Sequence, residues 1–513
     1  MMRRKAIVVA LSLLSGGSGV VYAVDLAITA EPYLTGGLFT NPVLPQVGEK
    51  VTVTVRAKCA GQIDAAPQAR LTLLSPTGKT LSEQTLGLKR TQDQAEASWT
   101  WTAGANGLYK LRAQVDPANQ IAETDEDNNA AELTLPVLIK GRKLHFAWYR
   151  EVGTTRWTTC VTSANDAEQR ARLAERGVIP LKWAYGGASW RSYDKKKAKT
   201  HPEEVLRQIE AMFYKRYTAE PGACAGFGID ETGGYPGGFK LQRTVASMKA
   251  LARAKREMPD RFFAVWNGGG VTLDPIPYFR QGVDLLLLET YVFRAVPQGL
   301  GTEEIYEMIR DRLDPFIRSH DMIVPAYGNW CHTLIGLDTS ERPDYIDLGE
   351  QEEVVRFIRR ICPEMRGIAW YTGGYGGYGL ERSPETDKHH EAVLANADRL
   401  CFDYYVKPCV TLMPHGLWPT RRATGSWGLV AAVSNIGGID SGPVTVEFWV
   451  DGRKVGRQTV DKVPAGPNRL CNRVLIRQGI RIKPGLHEFE ARIVSAGEAT
   501  TLDAVAQCSR LIR

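Results

Sequence analysis

Three carboxylates stand where the chain leaves an apolar run. Asp230 and Glu231 close Gly226-Phe-Gly-Ile229, and Glu289 follows four leucines at 285–288. A carboxylate after such a run needs a partner or a solvent-filled pocket, because an unpaired buried charge is costly. Two carboxyl groups on one cleft, one kept protonated and one ionised, can perform acid–base or nucleophilic chemistry on a polar bond. Glu231 is the first candidate for the acid, and Glu289 for the nucleophile or water-activating base. Strand parity adds a rival. Gly226 and Gly228 share the parity of Asp230, whereas Phe227 and Ile229 share that of Glu231. If the glycines line an interior, Asp230 points inward and Glu231 is displaced to the rim, so Asp230 competes for either role. The plain alternative for the pair is a helix N-cap or a salt bridge to a nearby Arg or Lys.

Aromatic and amide residues recur at the ends of other short apolar runs: Trp148-Tyr149, Lys182-Trp183-Ala184-Tyr185, Trp266-Asn267, Tyr291, Tyr327-Gly328-Asn329-Trp330 and Trp370-Tyr371. Aromatic faces stack on the C–H surface of sugar rings, and Lys or Asn side chains hydrogen-bond to hydroxyls. The substrate-binding candidates are therefore Lys182, Trp183, Tyr185, Trp266, Asn267, Tyr291, Tyr327, Asn329, Trp330, Trp370 and Tyr371. Tyr291 lies two residues beyond Glu289 and could orient it, while Lys182 could instead pair with Asp230. The glycine-rich run 373–379 (GGYGGYG) reads as an aromatic loop over the site or as an ordinary flexible loop.

These residues need a frame. Apolar runs at 144–149, 178–184, 225–231, 261–267, 283–291, 322–328 and 367–372 alternate with helical patterns at 166–176, 203–217, 241–257, 303–319 and 350–361. The rhythm over residues 139–409 predicts a (β/α)8 TIM-type barrel, in which function gathers at the carboxyl ends of the strands. An eighth strand is expected at 402–406 or within a long connection. A doubly wound sheet is the competing fold, but no glycine-rich phosphate loop follows the first run. On Gly228-Ile-Asp-Glu231 and Leu288-Glu-Thr-Tyr291 the region resembles barrel glycoside hydrolases. The resemblance implies hydrolysis of O-glycosyl bonds in a poly- or oligosaccharide by paired carboxylates, with no cofactor and no metal. The carboxylates follow the third and fifth runs, not strands four and seven as in the commonest pattern, so their roles stay open. A non-catalytic carbohydrate-binding or surface-adhesion protein is the alternative.

Both flanks read as all-β. Residues 51–56 (VTVTVR), 71–74 (LTLL) and 108–115 (LYKLRAQV) alternate at period two between turn-forming segments. The stretch 115–129, ending in ETDEDNN, resembles the hairpin signature of CARDB modules, which implies an immunoglobulin-like sandwich over 24–138. The acidic run is a turn, or a calcium site made by Glu123, Asp125, Asp127 and Asn128 that lacks the glycine and final glutamate of an EF-hand loop. Residues 410–513 repeat the pattern. Val444 to Val450 alternates into Asp451-Gly452, a strong hairpin signal, and Val433-Ser-Asn-Ile-Gly437 again resembles CARDB without the acidic tail. The flanks are expected to act as spacers, or as attachments to a cell surface or polymer.

Residues 1–23 have the layout of a signal peptide: Arg3, Arg4 and Lys5, a short apolar run, then Val21-Tyr-Ala23. They predict a secreted, periplasmic or cell-surface protein, with an uncleaved anchor as the alternative and no membrane span after cleavage. The net charge of +7 is dispersed, so no nucleic-acid partner is expected. Nine cysteines allow Cys401–Cys409 and Cys471–Cys508 as local disulfides, or stand as small buried hydrophobes. His332, His389 and His390 have no metal spacing, and no Gly-x-Ser-x-Gly elbow is present.

Overall fold

The computed structural model describes residues 24–28, 37–63, 65–91, 93–149, 155–186, 193–230, 232, 238–268, 274–290, 304, 307, 310–311, 314, 333–338, 348–363, 365–371, 383–423, 425–466 and 473–512. The expected signal segment 1–23 lies outside them, as do Arg150, Glu231, Tyr291, Tyr327, Asn329, Trp330 and the glycine-rich run 373–379.

The N-terminal unit is a pair of sheets. One holds Asp25–Ala27, Leu38–Asn41, Lys50–Ala60, Lys89–Arg90 and Gln94–Thr102; the other holds Gln68–Leu74, Thr80–Gly87, Gly107–Val115 and Ala130–Val137. Period-two alternation turns Val51, Val53 and Val55 toward Leu71, Leu73 and Leu111, which together bury a shared core. Each such side chain contributes about 1.5–3 kcal/mol on leaving water. The acidic run takes the turn reading. Glu123 accepts from Leu26 N and from Asn129 Nδ2, and Asp125 caps Asp127 N at 3.0 Å.

The C-terminal unit is a second pair. Cys409–Arg421, Trp427–Asn435, Arg473–Ile480 and Thr500–Thr501 form one sheet; Val444–Val450, Arg453–Val460, Gly485–Ser495 and Val505–Ile512 form the other. Asp451 and Gly452 both have positive φ, 49° and 73°, as the two-residue hairpin requires.

Between them, eight parallel strands close on themselves: His145–Trp148, Cys160–Val161, Ile179–Tyr185, Gly226–Asp230, Phe262–Gly268, Leu285–Thr290, Thr333–Asp338 and Gly367–Tyr371. The first pairs with the last, Trp148 opposite Trp370. The expected (β/α)8 barrel between immunoglobulin-like sandwiches is nevertheless corrected. The described residues are sheet-rich, 43% strand to 25% helix, and the helices among them do not alternate one to a strand. Among the described residues, Lys195–Thr200 and Pro202–Thr218 share one connection, and no helix stands between the first two strands. The second strand pairs only two residues, too few for an alternation to register in sequence.

Other expectations change with it. Residues 402–406 form a short π-helix, Phe402–Val406, not a strand. The seventh strand is Thr333–Asp338, and 322–328 lies outside the described residues. Asp230 and Glu289 consequently stand on strands four and six. Cys401 and Cys409 are not joined, since the π-helix separates them and each packs as a small buried hydrophobe; Cys508 is also unbridged.

All three parts meet at the amino ends of the barrel strands. Leu44 and Leu138 from the first unit, Phe146 and Ile368 from the barrel, and Ile436 and Leu502 from the last unit belong to one core. Two buried arginines cross this junction. Arg142 and Arg359 each donate to the Ile436 carbonyl at 2.7 Å, and Arg359 also holds the Met365 carbonyl at 2.7 Å. The Val-x-Asn-x-Gly run explains itself here. Asn435 Oδ1 accepts from Cys409 N and Gly437 N, and its Nδ2 donates to the Ile439 and Val463 carbonyls. A Cβ at Gly437 would lie 2.1 Å from the Lys407 carbonyl oxygen, so that close approach requires glycine.

Candidate active site at the carboxyl ends of the barrel strands

Alternation decides which strand residues reach the interior. Phe227 and Ile229 pack outward with Phe213, Met248 and Phe263, so Gly226, Gly228 and Asp230 take the inward parity. A Cβ on Gly228 would come within 2.0 Å of the Thr162 carbonyl oxygen. Strand four thus has no room for a side chain until it reaches its end, where Asp230 stands half-buried.

Around that carboxylate the interior becomes polar and aromatic. Tyr149 Oη donates to Asp230 Oδ2 at 3.0 Å, and Trp183 Nε1 approaches the same oxygen at 3.4 Å. Tyr185 is the register partner of Asp230, meets Trp183 edge-on at 4.1 Å, and is 43% exposed. Beneath them Trp266 packs edge-on to Tyr149 at 5.9 Å, and its Nε1 donates to Thr162 Oγ1 at 2.8 Å. Tyr149, Cys160, Leu181, Ala264, Trp266 and Leu287 form the barrel's inner layer. Burial pushes the Cys160 thiol up, so it packs and does not serve as a nucleophile.

Thr232 fixes the turn after Asp230. Its N–H and Oγ1 both donate to the Trp266 carbonyl, and Oγ1 also meets Asn267 Oδ1 at 3.3 Å. Asn267 is 1% exposed and acts on this turn from the side. The structure therefore brings together Trp183, Tyr185, Asp230 and Trp266 from the sequence candidates. It does not bring Lys182 or Trp370 to them, and Asn267 reaches the turn after Asp230 through Thr232. Lys182 is exposed and shares parity with Ala184, which packs in the outer layer. Trp370 is stacked on Trp148, rings 5.9 Å apart, within the core shared with the flanking units.

Glu289 and Tyr371 are described in backbone alone. Glu289 sits at the parity of Leu285 and Leu287, and both its register partners, Gly268 and Gly336, are glycines. Tyr149 is the residue that candidate selection missed. Its signal was the alternation of the first strand, where Ala147 and Tyr149 take the inner layer and Phe146 and Trp148 the outer. Among the described residues, no group of three or more His, Cys, Asp or Glu could hold a metal ion. No helix among them is long and apolar enough to cross a membrane.

Comparison with known proteins gives a family match for part of the chain. Residues 25–133 match the CARDB family. Among solved structures, the CARDB domain of the PF1109 protein from Pyrococcus furiosus, in complex with di-metal ions, is 22% identical. It covers 24% of this chain and 95% of that one, with a TM-score of 0.19. A cycloisomaltooligosaccharide glucanotransferase of Paenibacillus sp. is 10% identical over 94% of this chain and 72% of that one, TM-score 0.32. The β-glucuronidase of Parabacteroides merdae is 12% identical over 96% of this chain and 64% of that one, TM-score 0.27. No curated protein matches the sequence.

Proposed function

We propose that this chain is a glycosidase-like enzyme whose site is the aromatic, carboxylate-bearing mouth of the parallel barrel. The observation that carries the reading is Asp230. It ends a strand too crowded for any other inward side chain, and two neutral donors, Tyr149 Oη and Trp183 Nε1, aim at one of its oxygens. Fixing a carboxylate this way sets its direction, which suits a nucleophile or base. Glu289 is the second carboxylate of the proposal. Its strand lies two places round the barrel, and both its register partners are glycines. Glu231 remains a candidate for the acid from the sequence. Tyr185, Trp183 and Trp266 supply ring faces for a sugar, with hydroxyls met by the carboxylates.

Export through residues 1–23 belongs to the same proposal, since polysaccharides are met outside the cell. A non-catalytic carbohydrate-binding protein is the second reading, and the aromatic mouth favours it equally. Turnover separates the two. The mature chain should release reducing ends from at least one member of a panel of neutral and acidic polysaccharides. Glu289→Gln should abolish that release while leaving folding and sugar binding nearly intact. Unchanged hydrolysis by Glu289→Gln removes Glu289 from the mechanism; binding without hydrolysis by the wild type favours the second reading.

A further inference from the structure

One sheet edge of the C-terminal unit carries little of the protection that such edges usually have. Val505–Ile512 pairs with Gly485–Ser495 on one side and, among the described residues, with no strand on the other. Its ladder runs without a bulge, and the strand holds no proline and a single charge, Arg510. Edge strands are commonly blunted by lysines, proline or a bulge, because their free N–H and C=O groups are a template for another strand.

Two hydrogen bonds settle which residues face the open side. Ile493 N donates to the Ala504 carbonyl at 2.7 Å, so Ala504 and every second residue after it turn toward the paired strand. Asp451 N donates to the Glu488 carbonyl at 2.8 Å, which turns Glu488 away from its register partner Ser509. Val505, Gln507, Ser509 and Leu511 therefore direct their N–H and C=O groups outward from the sheet edge. A second copy lying antiparallel must match these four residues among themselves. One such register is two-fold symmetric about Cys508. It sets Val505 opposite Leu511 at both ends, Gln507 opposite Ser509, and Arg510 opposite the small Ala506. Val505 and Leu511 are 46% and 58% exposed, and Leu486, the register partner of Leu511, is 71% exposed. Pairing in this register brings these three apolar side chains together at each end. Sliding the copy by two residues either way sets Leu511 opposite Asp503 or Gln507 and loses the match. The strand is thus complementary to itself, which favours a second copy over an unrelated segment.

We propose that the Val505–Ile512 edge joins two copies of this chain into a two-fold dimer with one continuous sheet, Cys508 opposite Cys508. That central pair is not hydrogen-bonded, so its Cα atoms lie about 4.5 Å apart, within disulfide reach. The two thiols therefore report the register. Sedimentation of the full mature chain should give twice the monomer mass, falling to the monomer on dilution. Ser509→Pro deletes an N–H that faces the open edge and is not used in the ladder with Gly485–Ser495. It should weaken the dimer about tenfold or more while melting with the wild type. Oxidised glutathione takes two electrons and two protons from the paired thiols and leaves as two reduced molecules. It should produce a covalent dimer on a non-reducing gel, and Cys508→Ser should remove that band while keeping the sedimenting dimer. A monomer at every concentration leaves the edge to a strand from another protein and overturns the proposal. A dimer indifferent to Ser509→Pro, or a covalent band that survives Cys508→Ser, overturns it equally.

Discussion

The two ends of the barrel treat polar groups in opposite ways. At the amino ends of the strands, two buried cations are turned inward onto backbone carbonyls. Arg142 and Arg359 are 1% and 0% exposed, and both hold Ile436 of the C-terminal unit. Asn106 and Asp440 join the first unit directly to the last, with Asp440 N donating to Asn106 Oδ1 at 3.0 Å. At the carboxyl ends, Asp230 stays half-buried between Tyr149 and Trp183, and Tyr185 faces solvent. A charge satisfied by carbonyls is fixed as structure. A half-buried carboxylate directed by Tyr149 and Trp183 beside an exposed aromatic stands where a ligand can arrive. The contrast also involves the flanking units. They share a core with the barrel and support its closed end.

The contrast is broken most severely from within strand four. Gly228→Ala places a Cβ on the Thr162 carbonyl, where backbone must move on both strands. A loss of about 3 kcal/mol or more is expected, read as a fall in the denaturant midpoint or as loss of soluble protein. A variant as stable as the wild type would mean that strand four is less crowded than described. At the closed end, Arg359→Met removes the hydrogen bonds to Ile436 and Met365 while keeping length and burial. The expected cost is about 2–3 kcal/mol, since hydrogen bonds to a charged group are the stronger kind. Because the core is shared, the melt should stay a single transition. Separate unfolding of the C-terminal unit in the wild type would show that the junction does not couple the parts.

A smaller effect tests the same end by titration. Burial pushes the Asp398 carboxyl up to about 6 from an ordinary 3.8, against the pull of Arg156 at 3.4 Å. Between those values the folded chain holds a proton that the unfolded chain has released. This group's contribution to stability is therefore largest at low pH and is lost as pH rises through about 6. Asp398→Asn should remove that loss. Its melting temperature relative to wild type should improve by a few degrees between about pH 4 and about pH 7. A difference that is flat or reversed contradicts the assignment.

Parts of this arrangement were legible in the sequence because they depend on local rules. The Asp451-Gly452 hairpin follows from two residues that tolerate positive φ. The inward parity of Asp230 followed from glycines at 226 and 228, which had no other reason to alternate with Phe227 and Ile229. What failed depended on tertiary context. Cys160–Val161 is too short to show a period, so the strand count was wrong by one before Asp230. The run at 402–406 is apolar and aromatic, and so short a run does not distinguish a strand from a helical turn. Trp370 ends a strand, but its parity faces the outer layer, and position along a strand carries no information about face. The two junction arginines had no sequence signal for their shared partner, because the Ile436 carbonyl lies 77 residues from Arg359 and 294 from Arg142.

The central claim is that Asp230 acts at the open end of the barrel. Asp230→Asn keeps an acceptor for Tyr149 Oη and Trp183 Nε1, so the fold and the aromatic mouth should persist. On any polysaccharide the wild type hydrolyses, its initial rate should fall by about three orders of magnitude or more, with an unchanged melting temperature. Hydrolysis at the wild-type rate by a folded Asp230→Asn chain would contradict the account.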